Sequence, residues 1–312
     1  MRLATIDIGT NTILMLIADI GTDGTFSVIR DDQIIARLGK GVDAHRRITP
    51  ETTERVSRFL KQYLEIARPL NPERILACGT SALRDAVNGE EFVQFVRKEL
   101  GLEIAVLSGD EEAELTYFGA ASEFLEPDSK RPFAVIDIGG GSTELTIGEG
   151  FHVRSKTSFD LGSVRLTERL LRTSPPTIDA INEAKKEIRF AVASIPKLPP
   201  TALFAGVAGT VTTLAAIDLG LKEYDPRRIS GHELSLSTID RISNQLGSLT
   251  LAQMSGIFPQ IQTGRSDIIF AGTLILLEAL RHLRKDRITV SDRGLRYGIA
   301  LREFLSGSPK TR

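Results

Sequence analysis

One segment of this chain occurs twice. Ala4-Thr-Ile-Asp7-Ile-Gly9-Thr10-Asn11-Thr-Ile-Leu14 returns as Ala134-Val-Ile-Asp137-Ile-Gly139-Gly140-Gly141-Ser142-Thr143-Glu144. Each copy is an apolar run ending in Asp-Ile-Gly, a tip of small and hydroxylated residues, and a second apolar run. Run, glycine turn and returning run read as a β-hairpin. Glycine and Ser/Thr at the tip leave backbone N–H groups able to face an anion. Two such loops predict two related halves closing on one phosphorylated ligand.

Around these loops the element order also repeats. Strands are expected near 2–8, 13–20 and 25–31, then a helix opening at Pro50 behind Thr49, a suitable first-turn proline and N-cap. A strand at 74–79, a helix at 89–100, a strand at 103–107 and a helix from 110 to 124 complete a βββαβαβα half. Glu126-Pro-Asp-Ser-Lys-Arg-Pro132 is polar and proline-bearing, and is the expected boundary between domains 1–128 and 129–295. Beyond it come strands at 133–138, 143–149 and 151–157, a helix at 177–195, a strand at 202–206 and a helix from 209. Helices over 237–283, a strand at 287–291 and a last helix follow, the last (about 296–312) packing back on the first domain. The expected class is α/β: two domains, each a mixed sheet flanked by helices, with ligand held in an interdomain cleft.

Composition bounds the function. The 312 residues are 41% hydrophobic and 25% charged, enough for two cores. A formal net charge of −1 gives no global positive field of the kind nucleic-acid binders carry. Cys78 is the only cysteine, which excludes internal disulfides and a cysteine-built zinc site and fits a reducing cytoplasm. His45, His152, His232 and His282 show no metal-ligand spacing. The longest nearly apolar stretch, 268–280, contains Glu278 and reads as a core helix, so no membrane partner is expected.

The chemistry concentrates in a few motifs. In Asp7-Ile-Gly9-Thr10-Asn11, the tip residues would hold a phosphoryl group and Asp7 would position a cation or water. Gly139-Gly140-Gly141-Ser142-Thr143 has more glycines than a hairpin needs, which suits close approach of a ligand to the backbone. Asp137 and Glu144 at its two ends would offer hard oxygens to Mg²⁺, with waters and substrate phosphates completing the shell. Gly206-Val-Ala-Gly209-Thr210 runs from a strand into a helix and directs free N–H groups at the turn. No Gly-x-x-x-x-Gly-Lys-Ser/Thr occurs, so a P-loop enzyme is excluded. In Ser108-Gly-Asp-Glu111-Glu112 a capping box accounts for Glu111 and leaves Glu112 to accept a proton from water. Arg84, after a strand end, suits bidentate phosphate contact or a surface ion pair. The late motifs Gly264-Arg265-Ser-Asp267 and Ser291-Asp-Arg293-Gly-Leu-Arg296 read largely as helix starts.

Together, Ile6-to-Thr12, Gly79-to-Arg84, Ser108-to-Ala113, Asp137-to-Glu144, Gly206-to-Thr210 and Ser291-to-Arg296 resemble the exopolyphosphatase / guanosine pentaphosphate phosphohydrolase (Ppx/GppA) family. The resemblance implies two ribonuclease-H-like domains of the actin, sugar-kinase and heat-shock-chaperone superfamily. It also implies Glu112 as catalytic base, Asp137 and Glu144 as metal-associated acids, and the glycine loops as phosphate clamps. The implied substrate is inorganic polyphosphate first and guanosine pentaphosphate second, because no residue marks a guanine pocket. A polyphosphate/ADP phosphotransferase and a non-catalytic polyphosphate or nucleotide sensor are the rival readings, and a homodimer is an assembly to test. Thr10 and Thr12 stand where relatives often carry serine. Many relatives also have a further helical C-terminal region that this chain lacks, which puts long-chain processivity in question.

Overall fold

The computed structural model describes residues 1–307, which divide into two compact units. Unit one is Met1–Gly119 together with the segment from Leu295; unit two is Ala120–Gly294.

Unit one opens with β1 (Arg2–Ile8), β2 (Thr12–Ile20) and β3 (Phe26–Ile35). Helices α1 (Val42–His45) and α2 (Pro50–Ala67) lead to β4 (Arg74–Gly79), then α3 (Ser81–Asp85), α4 (Gly89–Leu100), β5 (Ile104–Val106) and α5 (Gly109–Phe124). The sheet order is β3-β2-β1-β4-β5, with β2 antiparallel to β1 and β3, and β4 parallel to β1 and β5. Thr49 caps α2 as expected, its hydroxyl accepting the Thr52 amide at 3.2 Å. Val56, Leu60, Tyr63 and Leu64 bury one face of α2 against Ile6, Ile8 and Ile13.

Unit two repeats the plan. Strands β6 (Pro132–Ile138), β7 (Thr143–Glu149) and β8 (His152–Phe159) precede α6 (Ser163–Arg169), α7 (Ile178–Val192), β9 (Leu203–Val207) and α8 (Ala208–Asp218). Next come α9 (Pro226–Ile229), β10 (Glu233–Ser235), α10 (Leu236–Ser248), α11 (Leu251–Ile257), α12 (Ile269–Leu283) and β11 (Arg287–Val290). The sheet order β10-β11-β9-β6-β7-β8 contains the same five-strand pattern plus the antiparallel edge strand β10. The repeat is physical as well as sequential: β1 and β6 share one burial pattern along their seven residues. Helix α12 is buried on every side from Ile269 to Leu280 because it lies in the core of its unit.

The last described element is α13 (Leu295–Gly307), which packs on unit one. Leu295 and Ile299 join Cys78, Leu107 and Leu115, Ala300 joins Leu3 and Ile20, and Tyr297 joins Leu16 and Ala18. Arg296 makes a bidentate ion pair with Asp31 at 2.8 and 2.9 Å, and Thr5 donates to its carbonyl at 2.9 Å. The described part of this helix stops at 307, so the expected stretch 308–312 lies outside the described residues.

Three features depart from the sequence reading. The short helices α1, α3, α6 and α9 were not expected, because four to seven residues are too few to display a helical period. Strand β10 is a three-residue edge strand with no alternating pattern to announce it. The division between units falls inside α5, between Gly119 and Ala120, and not in the stretch 126–132. The last turn of α5 is bound into unit two: Phe124 packs edge-to-face on Phe133, and Arg293 donates to the Ser122 carbonyl.

Candidate active-site clusters

In unit one the functional residues gather at the C-terminal ends of β1 and β4. The β1–β2 turn is closed by the Gly9 amide donating to the Thr12 carbonyl at 3.1 Å. That amide is therefore committed to the turn, and the anion-facing donors expected at the tip narrow to its neighbours. No hydrogen bond among the described residues uses the amides of Thr10 or Asn11, although both residues are less than a tenth exposed. The Thr10 and Asn11 carbonyls are held by Gly39 and by Ala36 and Arg37, respectively, so the turn is braced from behind. Asp7 is half-buried on β1, opposite Leu14.

Glu112 lies one residue beyond a complete capping box. Ser108 donates its amide and hydroxyl to Glu111 at 2.9 and 2.8 Å, and the Glu111 amide returns to the Ser108 hydroxyl at 3.2 Å. Glu112 is excluded from that box and is 8% exposed. Its Oε2 accepts from Arg84 at 3.1 Å, while Arg84 also donates to the Leu107 carbonyl at 2.8 Å. The structure thus brings together two residues that the sequence suggested separately. Arg84 comes from α3, just after β4, and Glu112 from the first turn of α5, just after β5. The parallel pairing of β4 and β5 sets them side by side.

In unit two the second turn copies the first. Gly139 donates to the Ser142 carbonyl at 3.0 Å, and no hydrogen bond among the described residues uses the amides of Gly140, Gly141 or Ser142. The Gly139 and Gly140 carbonyls are engaged by the amides of Ser163, Val164 and Arg165. Ser142 is 2% exposed, whereas the Thr143 hydroxyl is committed to the Leu161 carbonyl at 2.5 Å. Asp137 and Glu144 are register partners across β6 and β7, so the two carboxylates share one face of the sheet as direct neighbours. Like charges so placed oppose each other unless something positive or proton-donating intervenes. Ser158 donates to Glu144 at 2.7 Å. Among the described residues no group of three or more His, Cys, Asp or Glu stands close enough for an all-protein cage. Mg²⁺ is commonly held by one or two carboxylates together with waters and substrate phosphates, so a neighbouring pair of carboxylates is a donor set that fits it.

The third loop joins β9 to α8. Ala208 takes a left-handed φ of 67°, an uncommon conformation for a residue with a side chain, at the first position of the helix. A Cβ on Gly209 would stand 2.5 Å from the Arg265 guanidinium, so a side chain there would displace the tip of Arg265. Arg265 is 8% exposed, contacts the Gly209 carbonyl at 3.4 Å, and is held below the usual arginine value by burial, with Tyr224 opposing weakly. Thr210 is buried beside it.

Sequence reasoning undervalued Arg265 as part of a helix start and overlooked Arg165, a buried guanidinium whose own amide binds the Gly140 carbonyl. A buried arginine needs a compensating group, and that requirement is invisible before burial is known. Two other candidates serve the fold: Arg296 through Asp31, and His232 through Asp218 at 2.9 Å.

Comparison with known proteins places these clusters in context. The Ppx/GppA phosphatase family profile matches residues 16–306. The chain is 36% identical to a Mycobacterium tuberculosis protein named exopolyphosphatase 2, over 96% of this chain and 98% of that one. It is 30% identical to a guanosine-5'-triphosphate,3'-diphosphate pyrophosphatase of Vibrio vulnificus, covering 95% of this chain but 58% of that longer protein. The crystal structure of an Aquifex aeolicus member of the Ppx/GppA protein family superposes with a TM-score of 0.85 at 32% identity, covering 99% of both chains.

Proposed function

The chain belongs to the Ppx/GppA phosphatase family, a phosphoanhydride hydrolase built from two ribonuclease-H-like units, and from that premise we propose that it is an exopolyphosphatase releasing terminal orthophosphate from inorganic polyphosphate. The observation that carries the reading is Glu112: a carboxylate 8% exposed, kept out of its helix cap and turned to Arg84. A pure anion binder gains nothing from such a group, whereas hydrolysis needs one.

In this reading Glu112 orients water and takes its proton as the water oxygen bonds to the terminal phosphorus. The P–O bond to the next phosphate breaks, and the shortened chain leaves with that oxygen. Arg84, already bonded to Glu112, is positioned to exchange that contact for a phosphate oxygen. The amides of Thr10 and Asn11, those of Gly140, Gly141 and Ser142, and the Thr210 hydroxyl serve as phosphate donors. Asp137 and Glu144 would hold Mg²⁺, which supplies charge neutralisation at the phosphates. Catalysis of phosphoryl transfer rests chiefly on such placement and electrostatics. A cytoplasmic location is proposed on the single, buried cysteine.

Polyphosphate ranks first because the exopolyphosphatase relative matches over nearly its whole length. Guanosine pentaphosphate is the second reading, favoured by the V. vulnificus relative. Phosphate release from long polyphosphate, tripolyphosphate and guanosine pentaphosphate, each with and without Mg²⁺, separates them. Glu112→Gln should lower release by about 10²–10⁴ while leaving binding intact. A variant within about threefold of the wild type would remove Glu112 from the role. ATP formed from added ADP would make the chain a phosphotransferase, and binding without release would make it a sensor.

A further inference from the structure

The segment linking β3 to α2 carries charge that neither the fold nor the clusters above use. Residues 40–47 read Lys-Gly-Val-Asp-Ala-His-Arg-Arg. Lys40, His45, Arg46 and Arg47 are all exposed. Most other arginines in the protein meet a carboxylate, including Arg2, Arg30, Arg84, Arg189, Arg281 and Arg296. Among the described residues, no carboxylate lies within ion-pair distance of Lys40, His45, Arg46 or Arg47. Three permanent cations and a histidine thus stand in eight residues that hold one carboxylate, Asp43, on a chain of net charge −1.

The segment is fixed in place beside the unit-one cluster. Gly39 donates to the Thr10 carbonyl at 2.8 Å, and Ala36 and Arg37 both donate to the Asn11 carbonyl. Lys40 therefore follows directly on the backbone that braces the anion turn. At the other end the Arg46 carbonyl accepts from Val87 at 2.8 Å, and Asn88 exchanges two hydrogen bonds with Ile48, both at 2.9 Å. Val87 and Asn88 follow the helix that carries Arg84. Arg55 of α2 staples the start of the connection by donating to the Ala36 carbonyl at 3.2 Å. Two arginines of the segment, Arg37 and Arg46, take left-handed φ values of 50° and 55°, a conformation that persists only where surroundings enforce it.

We propose that this segment is an outlying subsite that grips internal phosphates of a long inorganic polyphosphate chain, beyond the terminal phosphate held at Thr10, Asn11 and Arg84. This inference rests on the polyphosphate reading and extends it to the length of substrate engaged. A tripolyphosphate whose end lies at the turn has only two further phosphates, too few to give one to each of Lys40, Arg46 and Arg47. A long chain presents one negative charge per phosphate and can do so. Such contacts release counterions and make affinity fall with salt.

The test compares wild type with the triple variant Lys40→Gln, Arg46→Asn, Arg47→Gln, asparagine being chosen for its tolerance of the left-handed backbone. Equilibrium binding of fluorescent long-chain polyphosphate and of tripolyphosphate is measured over a range of NaCl, with phosphate release followed in parallel. Long-chain binding should weaken by about tenfold or more, and its salt dependence should drop by about two to three phosphate contacts. Tripolyphosphate binding and turnover should stay within about twofold, which also certifies the fold. Unchanged long-chain affinity and salt slope, or an equal loss for both ligands, would overturn the subsite. If neither protein hydrolyses any phosphoanhydride while the long-chain loss persists, the enzymatic reading fails and the subsite stands.

Discussion

Glu112 and Arg84 show what a single residue's surroundings add to its identity. From sequence, Ser108-Gly-Asp-Glu111-Glu112 already separates the capping carboxylate from the other, because only the residue at the third helical position can reach back to the cap. The ion pair with Arg84 was not legible, since it depends on two strands lying parallel. Replacing Arg84 by Met should therefore cost more than a phosphate contact, because it leaves a nearly buried Glu112 without its guanidinium. Phosphate release should fall by about tenfold to a hundredfold or more, and Arg84→Lys should recover part of it, in steady-state kinetics. Gly209→Ala pushes a methyl group into the Arg265 guanidinium and should cut turnover with little change in secondary structure by circular dichroism. Cys78 offers a pH readout. Burial raises its thiol to about 11 from 9.0, so the folded state keeps the proton that the unfolded chain releases. The stability this contributes is complete below 9.0 and is lost as pH rises through about 11. Thermal melts should drop across that window, more steeply than those of Cys78→Ala, and native Cys78 should resist alkylation at pH 8.

At the scale of elements, the long pieces announced themselves and the short ones did not. Helix α4 and strands β1, β4 and β7 fall on their expected residues, because each is a patterned or apolar run bounded by glycine: Gly101, Gly9, Gly79 and Gly141, respectively. Helices α1, α3 and α6 escaped notice, yet α3 and α6 are the elements that place Arg84 and hold the Gly140 carbonyl. Sites of this kind are built from short connectors whose conformation is set by tertiary bonds, so local pattern has little to say about them. Helix α13 makes the reverse point: Arg296, recognised within a family motif, works as a clasp through Asp31. With Arg296 7% and Asp31 22% exposed, Asp31→Ala should destabilise unit one by about 2–4 kcal/mol, read by urea unfolding. Gly298→Ala, whose Cβ would sit 1.8 Å from the Leu115 carbonyl of α5, should be at least as damaging.

Across the whole molecule the two halves are copies in plan and unequal in chemistry. Asp7 and Asp137 occupy equivalent places, but their cross-strand partners are Leu14 and Glu144. Only the second copy has a carboxylate pair, so Glu144→Leu, which turns that copy into the first, should raise the Mg²⁺ needed for half-maximal activity by about tenfold or more, or abolish activity, in a metal titration. The duplication itself was legible from residues 4–14 and 134–144. The discontinuity of unit one has a consequence for how the protein is born. Its sheet needs Leu295, Tyr297, Ile299 and Ala300 to cover it, and these leave the ribosome only after the whole of unit two. Unit two is contiguous and can close during synthesis, while the N-terminal sheet waits, half clothed, for a helix made after it. A nascent chain stalled before α13 should therefore be the form that chaperones retain and proteases find first.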